Sequence, residues 1–486
     1  MELKKINNVT WKIPREGKMN VPVVIFASEK LLDDIKKDNT LQQAMNMASL
    51  PGVLKNIIVC PDAHQGYGAC IGGVAAYDLD EGVVSPGEIG YDINCSIRLL
   101  RTNLTISDIE KNKKEILHSL FRVIPSGVGR GSKLNISWKE LDEVLKEGAQ
   151  WAVAKGYGIE DDYLHTEDNG KLIGNPDDVS KRAKERGIGQ LGSLGAGNHF
   201  LEIQVVDEIF DEKIAGIFGL SKGQICIMVH CGSRGLGHQV ASDYIKLMED
   251  KYGWPEFDRE LVNAPIKSEL GKKYLSAMAC AANFAFANKQ MITHWIREDL
   301  KHYFPNTQKS KIFGASKTKN FEGIKIDVVY DVCHNIAKFE KYLIEGKEKE
   351  VLIMRKGATR SFGAGRKEIP QDYRKVGQPV IIPGSMGTAS YVLIGTKKAE
   401  ELTWGSSCHG AGRVESRTAA RRGISAESVK KELAEKGIDI EAGSFKGIVE
   451  EAPEVYKDID EVVRVSHEAG IGNLIARLKP IAVMKG

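Results

Sequence analysis

No stretch of this chain is long and apolar enough to span a bilayer. The most apolar run, near Tyr274–Ala287, is too short and too polar. Met1-Glu-Leu-Lys-Lys-Ile lacks the apolar core and cleavage site of a signal peptide, so a cytoplasmic protein that enters no membrane is expected. The eight cysteines are scattered, with no C-x-x-C pair. That argues against a disulfide framework and a zinc ribbon, and predicts free thiols. No excess of either charge stands out: 68 basic residues face 65 acidic ones, a net +3, so bulk charge indicates no partner and any nucleic-acid surface must be local. Nucleotide motifs are missing too. Gly127–Lys133 fails the G-x-x-x-x-G-K-[ST] spacing, which occurs nowhere, and no K-x-D-G of lysine-dependent nucleotidyl ligases is present. No repeat, low-complexity tract or linker divides the 486 residues, and 42% of them are apolar, ample for a sizeable core. One large domain over 1–486 is expected, with mainly helical covering subregions at 110–190 and 255–305.

What is present gathers around Gly90-Tyr-Asp-Ile-Asn-Cys-Ser-Ile-Arg98. Asp92 and Cys95, three residues apart in a turn-prone setting, can aim a carboxylate and a thiol at one cation if the backbone turns between them. Histidines recur where apolar runs end. His199 follows a glycine-rich turn, His230 closes Ile225-Cys-Ile-Met-Val-His230, and His334 closes a run from Ile324 in which Ile326, Val328, Tyr330, Val332 and His334 alternate onto one face. One such histidine is more often a satisfied core residue than a ligand; three beside glycine, cysteine or asparagine favour a site. Cys231 and Cys333 adjoin a histidine and so face away from it, which leaves Cys95 as the thiolate. Asp62 and His64 follow the strand-like Asn56-Ile-Ile-Val-Cys60, where α/β enzymes place functional side chains.

Further on, Arg355, Lys356, Arg360, Arg366, Lys367, Arg374 and Lys375 outnumber Glu368 and Asp372, a local basic segment. Its glycines at 357, 363 and 365 would let backbone amides approach phosphates. Pro383-Gly-Ser-Met-Gly-Thr-Ala-Ser390 offers small residues suited to an anion. His409 stands in Gly405-Ser-Ser-Cys-His-Gly-Ala-Gly-Arg413 among small residues, where a bulky ligand could reach its ring. Arg413, Arg417 and Arg421 recur every four residues, a basic stripe if a helix begins there, read as phosphate contact. Helices are expected around Lys30–Met47 (capped by Ser28), Ser107–Arg122, Ser137–Lys155, Glu269–Tyr303, Ser425–Lys436 and Val455–Ala469.

Together PDAHQGYG, GYDINCSIR, GAGNHFLE, HCGSRG, VCHN, RKGATR, PGSMGTASY and SCHGAGR resemble, in order, the RtcB family of RNA-splicing ligases, from about residue 56 to the terminal Met-Lys-Gly. The resemblance implies an α+β (mixed α/β) fold with a metal cleft at strand ends. It implies a GTP-dependent enzyme with two manganese ions, joining RNA 3′-phosphate or 2′,3′-cyclic phosphate ends to 5′-hydroxyl ends in tRNA splicing or RNA repair. Cys95 would bridge the metals, with Asp92 and His199 on one and His230 and His334 on the other. His409 would carry GMP, with Asp62 as a further catalytic residue. GTP would lie among Asn198, Glu202, His334, Asn335, Pro383, Gly384, Ser385, Met386, Ser390, His409, Gly410, Ala411, Gly412, Arg413, Tyr456 and Lys485. RNA phosphates would meet Arg355, Lys356, Arg360 and Arg417. An archease-like activator is a further implied partner, and a monomer is expected. Ligand type alone suggests zinc or iron, so manganese comes from the resemblance. Competing readings are a two-metal phosphoesterase, which gives His409 no role, and an RNA-binding protein without catalysis, which gives the ligand set none.

Overall fold

His334 belongs to no strand: it joins Ile326–Cys333, at one edge of an eight-stranded sheet, to Asn335–Ile344, at one edge of a seven-stranded sheet. The computed structural model describes residues 2–127, 131–305, 323–415 and 417–486. Both sheets belong to one α+β domain.

The eight-stranded sheet runs Ile326–Cys333, Ser96–Thr105, Gln224–Cys231, Phe200–Ile209, Asn473–Lys485, Ser390–Ile394, Pro379–Ile382, and Asp439–Ala442 pairs in parallel with Asn473–Lys485. Its neighbours are otherwise antiparallel, and their register aligns the ends that matter. Ser96 pairs with both Cys333 and Cys231, Phe200 with His230, and Lys485 with Phe200. Side chains that begin or end these strands therefore converge on one edge region. The seven-stranded sheet runs Lys4–Asn7, Thr10–Ile13, Val23–Phe26, Ile57–His64, Ile71–Tyr77, Lys347–Lys356, Asn335–Ile344. Ile57, Ile58 and Val59 are fully buried, as a strand covered on both faces requires. A short pairing of Ala358–Arg360 with Ser406–Cys408 then delivers His409 to the junction of the sheets.

Glu269–Tyr303 is one helix of 35 residues, capped by the Ser268 side chain, which accepts from Gly271 N–H. It packs on Gln224–Cys231 and on the helices Arg234–Tyr252 and Trp138–Glu147. Phe284 and Phe286 are fully buried on it, each contributing about 1.5–3 kcal/mol. Asn283 ties it to the helical covering region, donating to the carbonyls of Leu145 and Leu172 and accepting from Leu172 N–H.

Several helices are shorter than their sequence pattern predicts. Lys30–Met47 is two helices, Glu29–Ile35 and Thr40–Met47, because the Asp38 carboxylate takes Thr40 N–H and starts a new turn. Ser107–Arg122 divides into Ile106–Ile109 and Lys113–Val123. Ser137–Lys155 divides into Trp138–Glu147 and Ala149–Ala154 at Gly148, whose φ is +58° and where a Cβ would lie 2.2 Å from Gly170 O. The last helix starts at Ile459 rather than Val455, capped by Asp458. The basic stripe is also interrupted: the helix is Arg417–Gly423, and Arg413 sits outside it, bridged to Tyr456. A bulge between Val328 and Tyr330 breaks the single face expected for Ile326–His334. Ile326 and Val328 pack in one apolar cluster, Tyr330 and Val332 in another. Residues 128–130 of the glycine loop at 127–131 lie outside the described residues.

Candidate active site

The turn that precedes Ser96–Thr105 aims two donors the same way. Cys95 N–H donates to Asp92 O at 3.0 Å, and Asn94 takes the left-handed region at φ +53°, which its short polar side chain tolerates. Asn335 holds the turn from the other sheet, its Nδ2 donating to Asp92 O at 3.2 Å. Cys95 Sγ then lies 3.0 Å from His230 Nε2 and 3.5 Å from His199 Nε2. His199 Nε2 is 2.8 Å from Asp92 Oδ2, and His230 Nε2 is 3.3 Å from His334 Nε2. Two groups of three donors result, Asp92–Cys95–His199 and Cys95–His230–His334, with donor atoms within 4.8 Å of one another in each and Cys95 common to both.

This donor set fits divalent cations. His199 Nδ1 faces the Leu194 carbonyl at 3.1 Å, which can only accept, so Nε2 keeps its lone pair. Burial holds His230 and His334 well below the ordinary imidazole range, so both present neutral nitrogens. Burial, with Asp92 beside it, pushes the Cys95 thiol well up. Its thiolate thus depends on a cation.

His409 sits next to this cluster, its ring 5.0 Å from that of His334. Its backbone N–H and Nδ1 donate to Asp62 Oδ2 at 2.9 and 2.5 Å, and Gly410 N–H adds a third bond at 3.3 Å. Burial opposes the Asp62 charge, but His409 outweighs it and holds the carboxyl below its ordinary value. The loop can approach Asp62 because residue 412 is glycine: at φ +72° a Cβ would stand 2.0 Å from Asp62 O.

A cavity of about 840 Å³ opens over His409. Asp92, Cys95, Asn198, His230, His334, Asn335, Lys356, Pro383 to Met386, His409 to Arg413, Arg417, Tyr456 and Lys485 line it. Glu202 and Ser390 lie just behind, joined by Gln204, whose Nε2 donates to both at 2.7 and 3.0 Å. Arg413 donates to Tyr456 OH at 3.2 Å and to Glu450 O at 2.8 Å.

The basic segment is placed differently from its expected role. Arg355 is fully buried and makes a bidentate pair with Glu340 at 2.7 and 2.9 Å. Arg360 is 1% exposed and pairs with Asp168 at 3.0 Å, inside a buried group with Glu167 and Lys338. Neither lines the cavity, and each charge is paired with an acid on a neighbouring element. Lys356 does line the cavity, but its ammonium donates to the carbonyls of Tyr67, Ala69 and Gly87. Arg417 remains half-exposed at the cavity, 3.5 Å from Glu451. Sequence reasoning missed Glu451, Phe200, Tyr67 and Tyr91, all of which line the cavity. Tyr91 could have been found from its place beside Asp92; an acid such as Glu451 gives no signal of its own.

A family model described as tRNA-splicing ligase RtcB matches residues 43–486. Proteins named tRNA-splicing ligase RtcB are similar over the full length of this chain. That of Thermococcus kodakarensis is 52% identical over 489 residues, covering 100% of this chain and 99% of that protein. That of Nanoarchaeum equitans is 52% identical over 488 residues, covering 100% of both. That of Archaeoglobus fulgidus is 50% identical over 490 residues, covering 100% of this chain and 99% of that protein. With near-complete coverage of each chain at about half identity, this chain belongs to the RtcB family.

Proposed function

We propose that this chain is a GTP-dependent RNA ligase. It joins RNA bearing a 3′-phosphate, or a 2′,3′-cyclic phosphate after hydrolytic opening, to RNA bearing a 5′-hydroxyl, in tRNA splicing or in repair of broken RNA. The observation that carries the reading is the Asp62–His409 pair beside two donor groups that share Cys95. Asp62 binds His409 Nδ1, so Nε2 is the free nitrogen. Nε2 attacks the α-phosphorus of GTP; an N–P bond forms as the bond to pyrophosphate breaks. The RNA 3′-phosphate oxygen displaces His409 and takes the GMP. The 5′-hydroxyl then attacks that 3′-phosphorus and expels GMP, leaving a phosphodiester.

Two divalent cations, manganese by family likeness, would neutralise charge on the phosphate oxygens when held by Asp92, Cys95, His199, His230 and His334. The chain's own residues do the rest. Ser385, Arg413, Tyr456 and Lys485 would surround the nucleotide, a role supported by their place in the cavity lining; Asn198 also lines the cavity, and Glu202 is buried outside the lining. The half-exposed position of Arg417 at the cavity supports phosphate contact there, in exchange for its pairing with Glu451. We place the enzyme in the cytoplasm as a monomer, with an archease-like protein as its activator.

Incubation with α-labelled GTP and manganese tests this. The protein should acquire a label that is acid-labile and base-stable, as a phosphoramidate is, and His409→Ala should acquire none. Hydrolysis of RNA ends with no pyrophosphate released from GTP would instead indicate a phosphoesterase. With a labelled 3′-phosphate strand, the label should be retained in the new phosphodiester. Joining of 5′-phosphate strands only would defeat the scheme.

A further inference from the structure

Three rings stand in a row beside the donor cluster with no assigned task. Tyr91 immediately precedes Asp92, and its ring stacks on His238 with centroids 4.8 Å apart and planes 25° apart. Tyr67 leans on Tyr91 at 5.3 Å and 56°. Tyr67 and Tyr91 line the cavity, half-buried, and His238 is exposed on the Arg234–Tyr252 helix. Arg186 extends the row, donating to Gln239 Oε1 at 2.9 Å and lying 3.5 Å from His238 Nδ1.

The backbone beneath these rings is held unusually firmly for a loop. Gln65 N–H donates to Asp38 at 2.9 Å, Gly66 N–H to Gln43 at 3.0 Å and Gly68 N–H to Glu260 at 2.7 Å, while Lys356 grips the Tyr67 carbonyl. Gly90 N–H donates to Pro86 O at 2.8 Å. A fixed row of π-faces with a guanidinium at its outer end matches a nucleobase whose adjoining phosphate is anionic. Guanine of GTP is not the fitting occupant, because the residues proposed to surround it come from other segments, at 383–386, 410–413, 456 and 485.

We propose that Tyr67, Tyr91 and His238 form a stacking platform for the base of a terminal RNA nucleotide, which sets its phosphate or hydroxyl against the metal-ligating cluster. The proposal rests on the reading that RNA ends are the substrate. Arg186 serves the flanking phosphate, and the three rings are positioning residues.

Two measurements test it. The first is equilibrium binding of 3′-phosphate and 5′-hydroxyl oligonucleotides without GTP, and the second is ligation kinetics. Tyr91→Leu and His238→Ala should each weaken binding of one strand, and raise its KM, by roughly tenfold, with kcat little changed. Tyr91→Phe, which keeps the ring, should restore both. His238→Ala removes only an exposed ring, so it reports even if Tyr91→Leu folds poorly. An oligonucleotide lacking its terminal base should bind the intact protein as weakly as the normal strand binds the variants, and lose nothing further in them. Whichever strand shows this coupling is the one whose base occupies the platform. Additive losses on both strands, or weaker labelling by GTP with unchanged RNA binding, would overturn the proposal. A protein that shows the coupling yet takes no label from GTP would retain the platform and lose the ligase reading. One that ligates without the coupling would do the reverse.

Discussion

At the scale of single residues, the site depends on groups whose chemistry is set by a neighbour. Asp62 Oδ2 accepts three N–H groups from His409 and Gly410. Asp62→Asn keeps the shape but removes the charge that holds His409 in one tautomer, so self-guanylylation should slow by about 10²–10⁴-fold with melting little changed. Single-turnover labelling measures it, and an unaltered rate would take this role from Asp62. Glu202 offers a pH signature. Burial pushes its carboxyl up to about 7, against the opposing pull of Gln204 and Lys485. Its protonated form therefore favours the fold, a contribution complete below the ordinary 4.5 and gone above about 7. In the GTP site proposed above, accepting both N–H donors of guanine on Glu202 would require the ionised form instead. GTP affinity should rise from pH 6 to pH 8 in calorimetric titrations, and Glu202→Gln should flatten that rise and bind more weakly at the alkaline end.

At the scale of elements, buried charges join neighbouring strands and helices. Arg355 and Glu340 pair diagonally across the strands Asn335–Ile344 and Lys347–Lys356, where Arg355 lies opposite Ile336 and Glu340 opposite Val351, and both are out of water. Removing one partner strands the other, so Arg355→Met should cost about 3–5 kcal/mol in denaturant unfolding while the folded fraction keeps its KM for RNA. A raised KM alone would return Arg355 to the RNA surface. The covering region has a weaker tie. His165, after the helix Glu160–Leu164, meets Asp372 at 3.0 Å. Burial works against the protonated ring, but Asp372 and the Asp161 carbonyl prevail and hold it above 6.5. Because the folded value is raised, the pair stabilises fully below pH 6.5 and is lost as pH rises through that higher value. The Asp372 side chain is 55% exposed, so about 0.5–1 kcal/mol is expected. The melting difference between the native protein and His165→Gln should shrink between pH 6 and pH 9; a constant difference would mean the ring is neutral throughout.

At the scale of the molecule, the five candidate metal ligands come from four separate stretches, at 92–95, 199, 230 and 334, and the eight-stranded sheet beside them takes in Asn473–Lys485 as an interior strand. A ligand that binds only the assembled fold stabilises it, by about 2.7 kcal/mol at a hundredfold excess over Kd. Manganese should therefore raise the melting temperature and chelation lower it. Cys95→Ala, which removes the donor common to both groups, should abolish the shift and the bound metal together. A full shift in that variant would separate Cys95 from the metals. The same fold buries all eight cysteines as free thiols.

By itself the sequence determined the family and which donor residues could gather at one site. Donor type and strand-end position are local properties, so Asp92, Cys95, the three histidines, Asp62 and His409 were legible in short motifs. The 35-residue helix was legible for the same reason, being one uninterrupted period from cap to stop. Only the tertiary structure decided which charges are free. Arg355, Arg360 and Lys356 read as a basic surface, but their partners Glu340, Asp168 and the carbonyls of residues 67, 69 and 87 are brought to them by other elements. It likewise decided which face Tyr330 takes, through one bulge, and that Arg413 turns to Tyr456 instead of continuing a helix. The physical reason is the same throughout: a residue's chemistry is carried by its own atoms, whereas its exposure, charge pairing and ring contacts are set by other segments, 15 positions away for Glu340 and 289 for the Tyr67 carbonyl.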